Sequence, residues 1–183
     1  ENTSVNHSMI KYSCIYNYYS IVKILLEKGK IDFKPYLDSQ IFVSNANKNN
    51  YEIINLLLPH LSIDNLQIFK DCHYLTQACI NSSIKSIDDY CFENCSKLTE
   101  VIIPSSVSSI GFASFRNCSS LKQITIPSSV ISIDDYCFSE CSSLTDVSIP
   151  SSVKSIGKYC FERCSSLKQI SIPSSVKSID DYC

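Results

Sequence analysis

The sequence predicts an α+β repeat protein in which helical hairpins precede a solenoid with one parallel β-sheet of short strands. Three observations predict this class. Pro, Phe, Cys and Leu recur every 23 residues in the second half of the 183-residue chain, two apolar segments of the first third are copies 32 residues apart, and 44% of the residues are hydrophobic. Fixed periods of this length are typical of solenoids, and the apolar fraction is too high for a disordered chain.

The charge balance and the length of the apolar runs exclude two classes of partner. Sixteen Lys and Arg against eighteen Asp and Glu give a net charge of −2, and neither half of the chain carries a basic excess. A nucleic-acid-binding arm needs such an excess, so we expect no nucleic-acid partner. Apolar runs such as residues 24–26 and 101–103 are far shorter than the roughly 18 residues of a membrane span, so we expect no membrane insertion by this segment.

The repeat of the second half is clearest at four positions of each unit. These positions hold Pro104, Pro127, Pro150 and Pro173; Phe92, Phe115, Phe138 and Phe161; Cys95, Cys118, Cys141 and Cys164; and Leu98, Leu121, Leu144 and Leu167. Clean units are predicted from residue 81. A degenerate first unit is predicted over residues 60–80, as is typical of a terminal cap. The solenoid therefore covers residues 60–183, and because it stops partway through a unit at Cys183, we expect a longer parent protein.

Each unit contains one segment with the alternation of a short strand. In one copy Leu121, Ile124 and Ile126 would point inward while the residues between them are mostly polar. The Pro that follows lacks a backbone donor and ends the strand. The rest of each unit is expected to return the chain through turns or a short helical segment. Stacked coils then place the strands about 4.8 Å apart in one parallel sheet.

The unit reads Pro-Ser-Ser-Val-x-Ser-Ile-x-x-Tyr-Cys-Phe-x-x-Cys-Ser-x-Leu-x-x-(Ile/Val)-x-Ile. It resembles the BspA-like class of leucine-rich repeats over about residues 60–183. Cys and Tyr stand where such repeats often carry Ala, a departure expected to affect packing more than fold. The resemblance implies two settings, cell-surface antigens or adhesins and intracellular scaffolds.

The first third of the chain, residues 1–59, has apolar residues at helical spacing. Helices are predicted over residues 21–26 and 53–58, each preceded by a shorter helix, over 9–15 and 39–46. The segment from Ile21 to Asp32 resembles the second helix and exit turn of an ankyrin repeat, and the period near 33 residues agrees. Ankyrin-like repeats are therefore predicted over about residues 8–59.

The chain has eleven Cys, and those that recur in the repeat are interpreted as buried fillers of the solenoid core. Besides the column at Cys95, a second column contains Cys91, Cys137, Cys160 and Cys183 and is interrupted by Ser114. Stacked neighbours are within disulfide range, but a column of equivalent thiols gives no unique pairing. The even repetition also opposes a zinc site, which needs four converging ligands. A free-thiol core and an ankyrin-like start favour a cytoplasmic location over the cell surface.

The sequence predicts no catalytic residue, metal site or cofactor. A nucleophilic Cys needs a His base within hydrogen-bond reach, and His7, His60 and His73 all lie outside the clean repeats. The paired Asp of alternate units are interpreted as turn formers, because Asp side chains bond to nearby backbone. Enzyme activity is not expected within this segment.

The outward side of the predicted strands is the candidate binding surface. The residues predicted to contact a partner are Glu100, Ile102, Lys122, Thr125, Asp146 and Lys168. Acid and base alternate between adjacent strands, so these charges could also neutralise one another diagonally. A solenoid is expected to expose this sheet as a shallow concavity that docks another protein, with Ile102 as the apolar anchor. Two alternatives are a targeting arm of a larger enzyme whose catalytic domain lies outside this segment, and a structural spacer without a partner.

Overall fold

The computed structural model of the chain describes residues 69–73, 75–80, 82 and 84–183. Over these residues the chain is a parallel β-solenoid of about four turns. We number the complete 23-residue turns as unit 1 (residues 81–103), unit 2 (104–126), unit 3 (127–149) and unit 4 (150–172). The ankyrin-like hairpins predicted for residues 8–59, and residues 60–68 of the degenerate first unit, lie outside the described residues.

The units of the solenoid are joined by short parallel strands. Those in the described residues are, in chain order, β1 (Gln77–Cys79), β2 (Ser86–Ile87), β3 (Glu100–Ile102), β4 (Ser109–Ile110), β5 (Gln123–Thr125), β6 (Ser132–Ile133), β7 (Asp146–Ser148), β8 (Ser155–Ile156) and β9 (Ser178–Ile179). All pairings are parallel and join residues 23 positions apart, so each unit lies on the one before it.

The strands predicted from the alternating segments are confirmed. β1 pairs with β3, β5 pairs with β7, and Ser148 bridges to Ser171 of unit 4. In β3, β5 and β7 the central residue is buried and its two neighbours are exposed. The inward positions of unit 2, Leu121, Ile124 and Ile126, are all buried.

The prediction of a single sheet is wrong. The predicted strands form two separate two-stranded sheets, β1-β3 and β5-β7, and the Ser-Ile pairs of the return segment form a third parallel sheet of five strands, in the order β2-β4-β6-β8-β9. In β4, β6 and β8 Ile is buried while Ser is partly exposed. Two residues are too few to show a period-two pattern, so each pair becomes a strand only because an identical pair lies one unit away.

The remaining corner of each unit is made of turns rather than helix. Each turn contains two residues with left-handed backbone, such as Tyr90 (φ 60°) and Asn94 (φ 62°) in unit 1. A Tyr in this region costs about 1–2 kcal/mol. The strained positions are also bonded across units, since Tyr90 N–H donates to Phe112 O at 2.8 Å and Asn94 N–H donates to Arg116 O at 2.9 Å. The stack of identical turns therefore holds a conformation that a single turn would not favour.

The core consists of columns of identical side chains. Phe69, Phe92, Phe115, Phe138 and Phe161 stack with centroids 5.2–5.5 Å apart and ring planes within 11° of parallel. The Leu, Val and Ile columns beside them are buried in units 1 to 3, except that Ile103 is only partly buried. Burial of a large apolar side chain contributes roughly 1.5–3 kcal/mol, so these columns hold the units together.

An alternation with a two-unit period is superimposed on the 23-residue repeat. Where units 1 and 3 carry paired Asp, units 2 and 4 carry Gly111 and Gly157. Asp89 Oδ1 accepts a hydrogen bond from Phe112 N–H at 2.9 Å, and a Cβ placed on Gly111 would lie 2.5 Å from that oxygen and 2.9 Å from Asp89 N. The carboxylate occupies the space of the missing side chain, which explains why Asp and Gly alternate. The repeated Asp thus bond to backbone, as predicted, but partly to the next unit.

Replacing Gly111 with Asp, the residue at the matching position of units 1 and 3, is expected to lower the free energy of unfolding by about 1–3 kcal/mol, because the new Cβ would overlap Asp89. Urea unfolding followed by circular dichroism measures the loss. The control is the reverse exchange, Asp134→Gly, which forces no atoms together and should cost about 1 kcal/mol or less. A Gly111→Asp variant as stable as the unchanged chain would contradict this packing.

Candidate functional site

The candidate site is the outward side of the strands that end before each Pro. We call it the strand face and define it as the exposed side chains of residues 99–102, 122–125, 145–148 and 168–171. All six residues predicted to contact a partner lie on it and are exposed: Glu100, Ile102, Lys122, Thr125, Asp146 and Lys168. Ile102 is 55% exposed, which makes it the apolar side chain most open to solvent on these strands.

The strand face carries regular columns of side chains because the units repeat in register. Glu100 pairs with Gln77 in the ladder of β1 and β3, and Asp146 pairs with Gln123 in the ladder of β5 and β7. Lys122 and Lys168 occupy the neighbouring column, which holds Thr in units 1 and 3. The face therefore repeats every two units, with an acid in units 1 and 3 and a base in units 2 and 4.

The four charges of the strand face do not form ion pairs with one another. Within the part of the chain that the structure describes, the ion pairs closer than 4.0 Å involve other residues. Glu100 Oε2 accepts a hydrogen bond from Gln77 Nε2 at 3.3 Å. The interpretation of these charges as mutually neutralising pairs therefore has no direct contact to support it, and the charged groups remain open to a partner.

Aromatic rings of successive units follow one another at the outer corner of the coil. Tyr90, Phe112, Tyr136, Tyr159 and Tyr182 have neighbouring ring centroids 4.8–5.5 Å apart. The Tyr90–Phe112 contact is edge-to-face, whereas the two Tyr–Tyr contacts are stacked. The shallow concavity expected of the strand face stays a prediction.

A second set of charges, which the sequence analysis missed, is paired within the fold. Glu93, which is 7% exposed, lies between Lys70 Nζ at 2.7 Å and Arg116 Nη1 at 3.6 Å, and Arg116 Nη2 reaches Glu140 Oε1 at 3.2 Å. The hydrogen bond from Lys70 to Glu93 raises the pKa of the lysine. Successive units have a charged residue directly after the core Phe, namely Lys70, Glu93 and Arg116. The alternating sign of these residues was the sequence pattern that could have predicted the ion pairs. These charges are used internally and offer less to a partner.

The thiols of the first Cys column are buried, as predicted, and they also act as hydrogen-bond donors. Cys95, Cys118, Cys141 and Cys164 each donate Sγ–H to the carbonyl oxygen of the Phe 26 residues earlier, at 3.0–3.2 Å. In the second column the Ser114 hydroxyl donates to Asp88 O at 3.3 Å over the same separation. A small donor that tolerates burial thus suits these positions, which explains Cys where an apolar filler alone would permit Ala or Val.

Burial keeps these thiols protonated. It raises the pKa of Cys72 to about 12 and that of Cys164 to about 11. Loss of hydration on burial likewise raises the pKa well above the usual range for the remaining buried thiols: Cys91, Cys95, Cys118, Cys137, Cys141 and Cys160. The thiolate is the nucleophile, so these groups are poorly suited to covalent catalysis. The adjacent His73 is exposed, with Nδ1 2.9 Å from Asn94 O, while Cys72 points into the core.

The stacked coils, the parallel sheets and the in-register columns define a β-solenoid repeat protein. Residues 62–183 match the BspA type leucine-rich repeat region, in six copies, and the chain therefore belongs to this family. The family resemblance expected from the 23-residue unit is confirmed for this part of the chain, whereas the match does not extend into the segment predicted to be ankyrin-like.

Several solved structures are similar to the chain, including the following two. A leucine-rich repeat protein of T. pallidum is 31% identical with a TM-score of 0.56, over 59% of this chain and 54% of that one. A leucine-rich cell surface protein of Faecalibacterium prausnitzii A2-165 is 36% identical with a TM-score of 0.53, over 61% of this chain and 30% of that one. The chain thus spans about half the length of the first and less of the second. The search of curated proteins found no match.

Leucine-rich repeat regions generally act as protein-interaction modules, and the described part of this chain has that architecture. None of the described residues belongs to a helix with the length and apolar content that a membrane span requires.

Proposed function

We propose that the chain is a non-catalytic protein-protein interaction module that docks another protein through its strand face. The observation that carries the proposal is the regular array of exposed, unpaired charges at Glu100, Lys122, Asp146 and Lys168, one on each unit. Parallel ladders hold the backbone of Glu100 and Asp146, and Lys122 directly precedes β5, so much of the pattern is preorganised and the ordering cost on binding is lowered. Ile102 adds an exposed apolar contact to the array.

The non-catalytic part of the proposal rests on the thiols and on His73. Buried, protonated thiols are weak nucleophiles, and the imidazole of His73 lies against a backbone carbonyl rather than a thiol. The similarity to repeat proteins agrees with a binding role. A targeting arm of a larger enzyme would use the same strand face and would add its chemistry from another part of the polypeptide.

Two settings fit such a module. Within the described turns of the solenoid, the Cys95, Cys118 and Cys141 thiols are buried and donate hydrogen bonds to carbonyl oxygens, which favours an intracellular scaffold because disulfides form in oxidising compartments. The similarity to a protein described as a leucine-rich cell surface protein favours a surface antigen or adhesin as the second candidate. The docking proposal is the same in both settings, since it depends on the strand face alone.

Reversing two charges on the strand face should abolish capture of a partner. The immobilised chain is used to capture proteins from an extract of its own source cells, and the captured proteins are identified by mass spectrometry. Proteins retained by the unchanged chain are expected to be lost with the Lys122→Glu/Lys168→Glu variant, because both lysines are exposed on the docking face. Rim charges of this kind govern association rates and salt dependence.

The matched control is Lys154→Glu/Lys177→Glu. It makes the same two charge changes at exposed positions beside β8 and β9, away from the strand face. This variant is expected to retain the captured proteins, and circular dichroism verifies that both variants are folded. Equal capture by the strand-face variant and the unchanged chain would contradict the proposal.

A further inference from the structure

The order of charges on the strand face is complementary to itself. From unit 1 to unit 4 the exposed charged side chains are Glu100, Lys122, Asp146 and Lys168, so acid and base alternate along the stack. Reading the same series from unit 4 to unit 1 exchanges every acid for a base. Two identical faces that meet in opposite directions therefore present opposite charges at each level.

One twofold axis satisfies this condition. An axis parallel to the strands and lying between β5 and β7 places unit 1 opposite unit 4 and unit 2 opposite unit 3. Glu100 then faces Lys168 of the second copy, and Lys122 faces Asp146. The lysines and the acids lie one residue apart along the strand, about 3.3 Å, which a lysine side chain spans. The contact is isologous, as closed dimers require.

The other in-plane axis, parallel to the solenoid stack, gives the opposite result. It places every unit opposite its own copy, so that each of the four charges faces a like charge. Like charges in direct opposition are unfavourable and suppress the wrong arrangement. The pattern therefore selects one orientation, with the two stacks antiparallel.

The uncharged side chains of the face are compatible with such a contact. Exposed side chains other than Ile102 are polar on this face, and those facing a second copy are Thr, Gln and Ser, which accommodate hydrogen bonds and water. We infer that the strand face binds the strand face of a second copy of this chain in antiparallel orientation. The inference rests on the docking role proposed above and names the partner.

The contact is expected to be weak and salt-sensitive. Four strand levels about 4.8 Å apart and four residues about 3.3 Å apart give roughly 250 Å² on each copy, which is small for a protein contact. Exposed ion pairs of this kind are screened as the ionic strength rises. Sedimentation equilibrium of the pure 183-residue chain should show a monomer–dimer equilibrium at low salt that shifts towards monomer at high salt.

Two double variants of identical charge and composition test the geometry. Lys122→Glu/Asp146→Lys gives the series acid, acid, base, base, which remains complementary under the antiparallel axis. Asp146→Lys/Lys168→Glu gives acid, base, base, acid, which places like charges opposite each other at every level. The first variant is expected to dimerise with an affinity close to that of the unchanged chain, and the second at least tenfold more weakly.

Each outcome is decisive. A chain that stays monomeric at low salt and millimolar concentration, or two variants that dimerise equally well, would overturn the inference. The docking role is tested separately from the dimer. If a monomeric chain captures another protein and loses it on reversal of Lys122 and Lys168, the docking role is supported and the dimer is rejected. If the chain dimerises but captures no other protein, the dimer is supported and docking of a different protein is rejected.

Discussion

Raising the pH from 8 to 10 under reducing conditions is expected to unfold the repeat region. Eight described thiols are buried, and burial raises the pKa of each of them, to about 11 for Cys164 and about 12 for Cys72. In the unfolded chain the same thiols ionise near pH 8.5. Above that pH the unfolded state holds fewer protons than the folded state, so stability falls as the pH rises.

The expected slope is large because the thiols act together. One proton contributes about 1.4 kcal/mol per pH unit, so eight buried thiols contribute about 11 kcal/mol per pH unit once the unfolded thiols are fully ionised and while the folded ones remain protonated. Typical domains have only about 5–15 kcal/mol of stability. Urea midpoints measured by circular dichroism at pH 7, 8, 9 and 10 give the slope.

A variant with fewer thiols separates this effect from other alkaline changes. Cys137→Ala/Cys160→Ala removes two buried thiols, so the slope above pH 9 should fall by about one quarter, whatever the variant's stability at pH 7. A urea midpoint that stays constant from pH 7 to pH 10 would show that the thiols are not buried in the folded state.

Replacing Phe115 with Ala is expected to lower the free energy of unfolding by about 3–5 kcal/mol. The ring is fully buried and stacks on Phe92 at 5.2 Å and on Phe138 at 5.5 Å. Because each unit of a solenoid contacts only its neighbours, this change weakens two unit-to-unit contacts at once. Urea unfolding at pH 7 measures the loss.

The matched control for this change is Phe112→Ala. Phe112 belongs to the same unit but lies at the outer corner, where its ring is only partly buried between Tyr90 and Tyr136. It is expected to cost less than half as much as the Phe115 change, since cavity formation is limited at a solvent-exposed site. Equal losses for the two variants would contradict the assignment of the Phe column to the core.

The sequence was sufficient for the features that repeat in every unit. The 23-residue register, the inward residues of the alternating strands and the burial of the Cys columns follow from identical residues at fixed spacing, because stacking brings equal side chains together. The six strand-face residues were also placed correctly as exposed, since period-two alternation assigns one side of a strand to solvent. Their contact with a partner stays a prediction.

Contacts that join different positions of the 23-residue unit could not be predicted from the sequence in the same way. Phe112 fills the outer aromatic column although it lies one residue before Ala113, which occupies the Tyr position of unit 2. The Asp89 carboxylate bonds to the next unit where Gly111 leaves room for it. Neither pairing follows from a column of identical residues, because each joins different residue types across two units.

The five-stranded sheet was missed for a related reason. Each of its strands contributes only Ser and Ile, which in one unit are indistinguishable from a loop. The pairing exists because the same two residues recur 23 positions later with their backbones in register.

The stacking of successive units in register is tested most directly by nuclear Overhauser contacts in the 20.6 kDa chain. The account predicts parallel-strand contacts between backbone protons of residues 23 apart, above all along Ile110, Ile133 and Ile156 of β4, β6 and β8. Antiparallel contacts between neighbouring segments, as in separate hairpins, would contradict it.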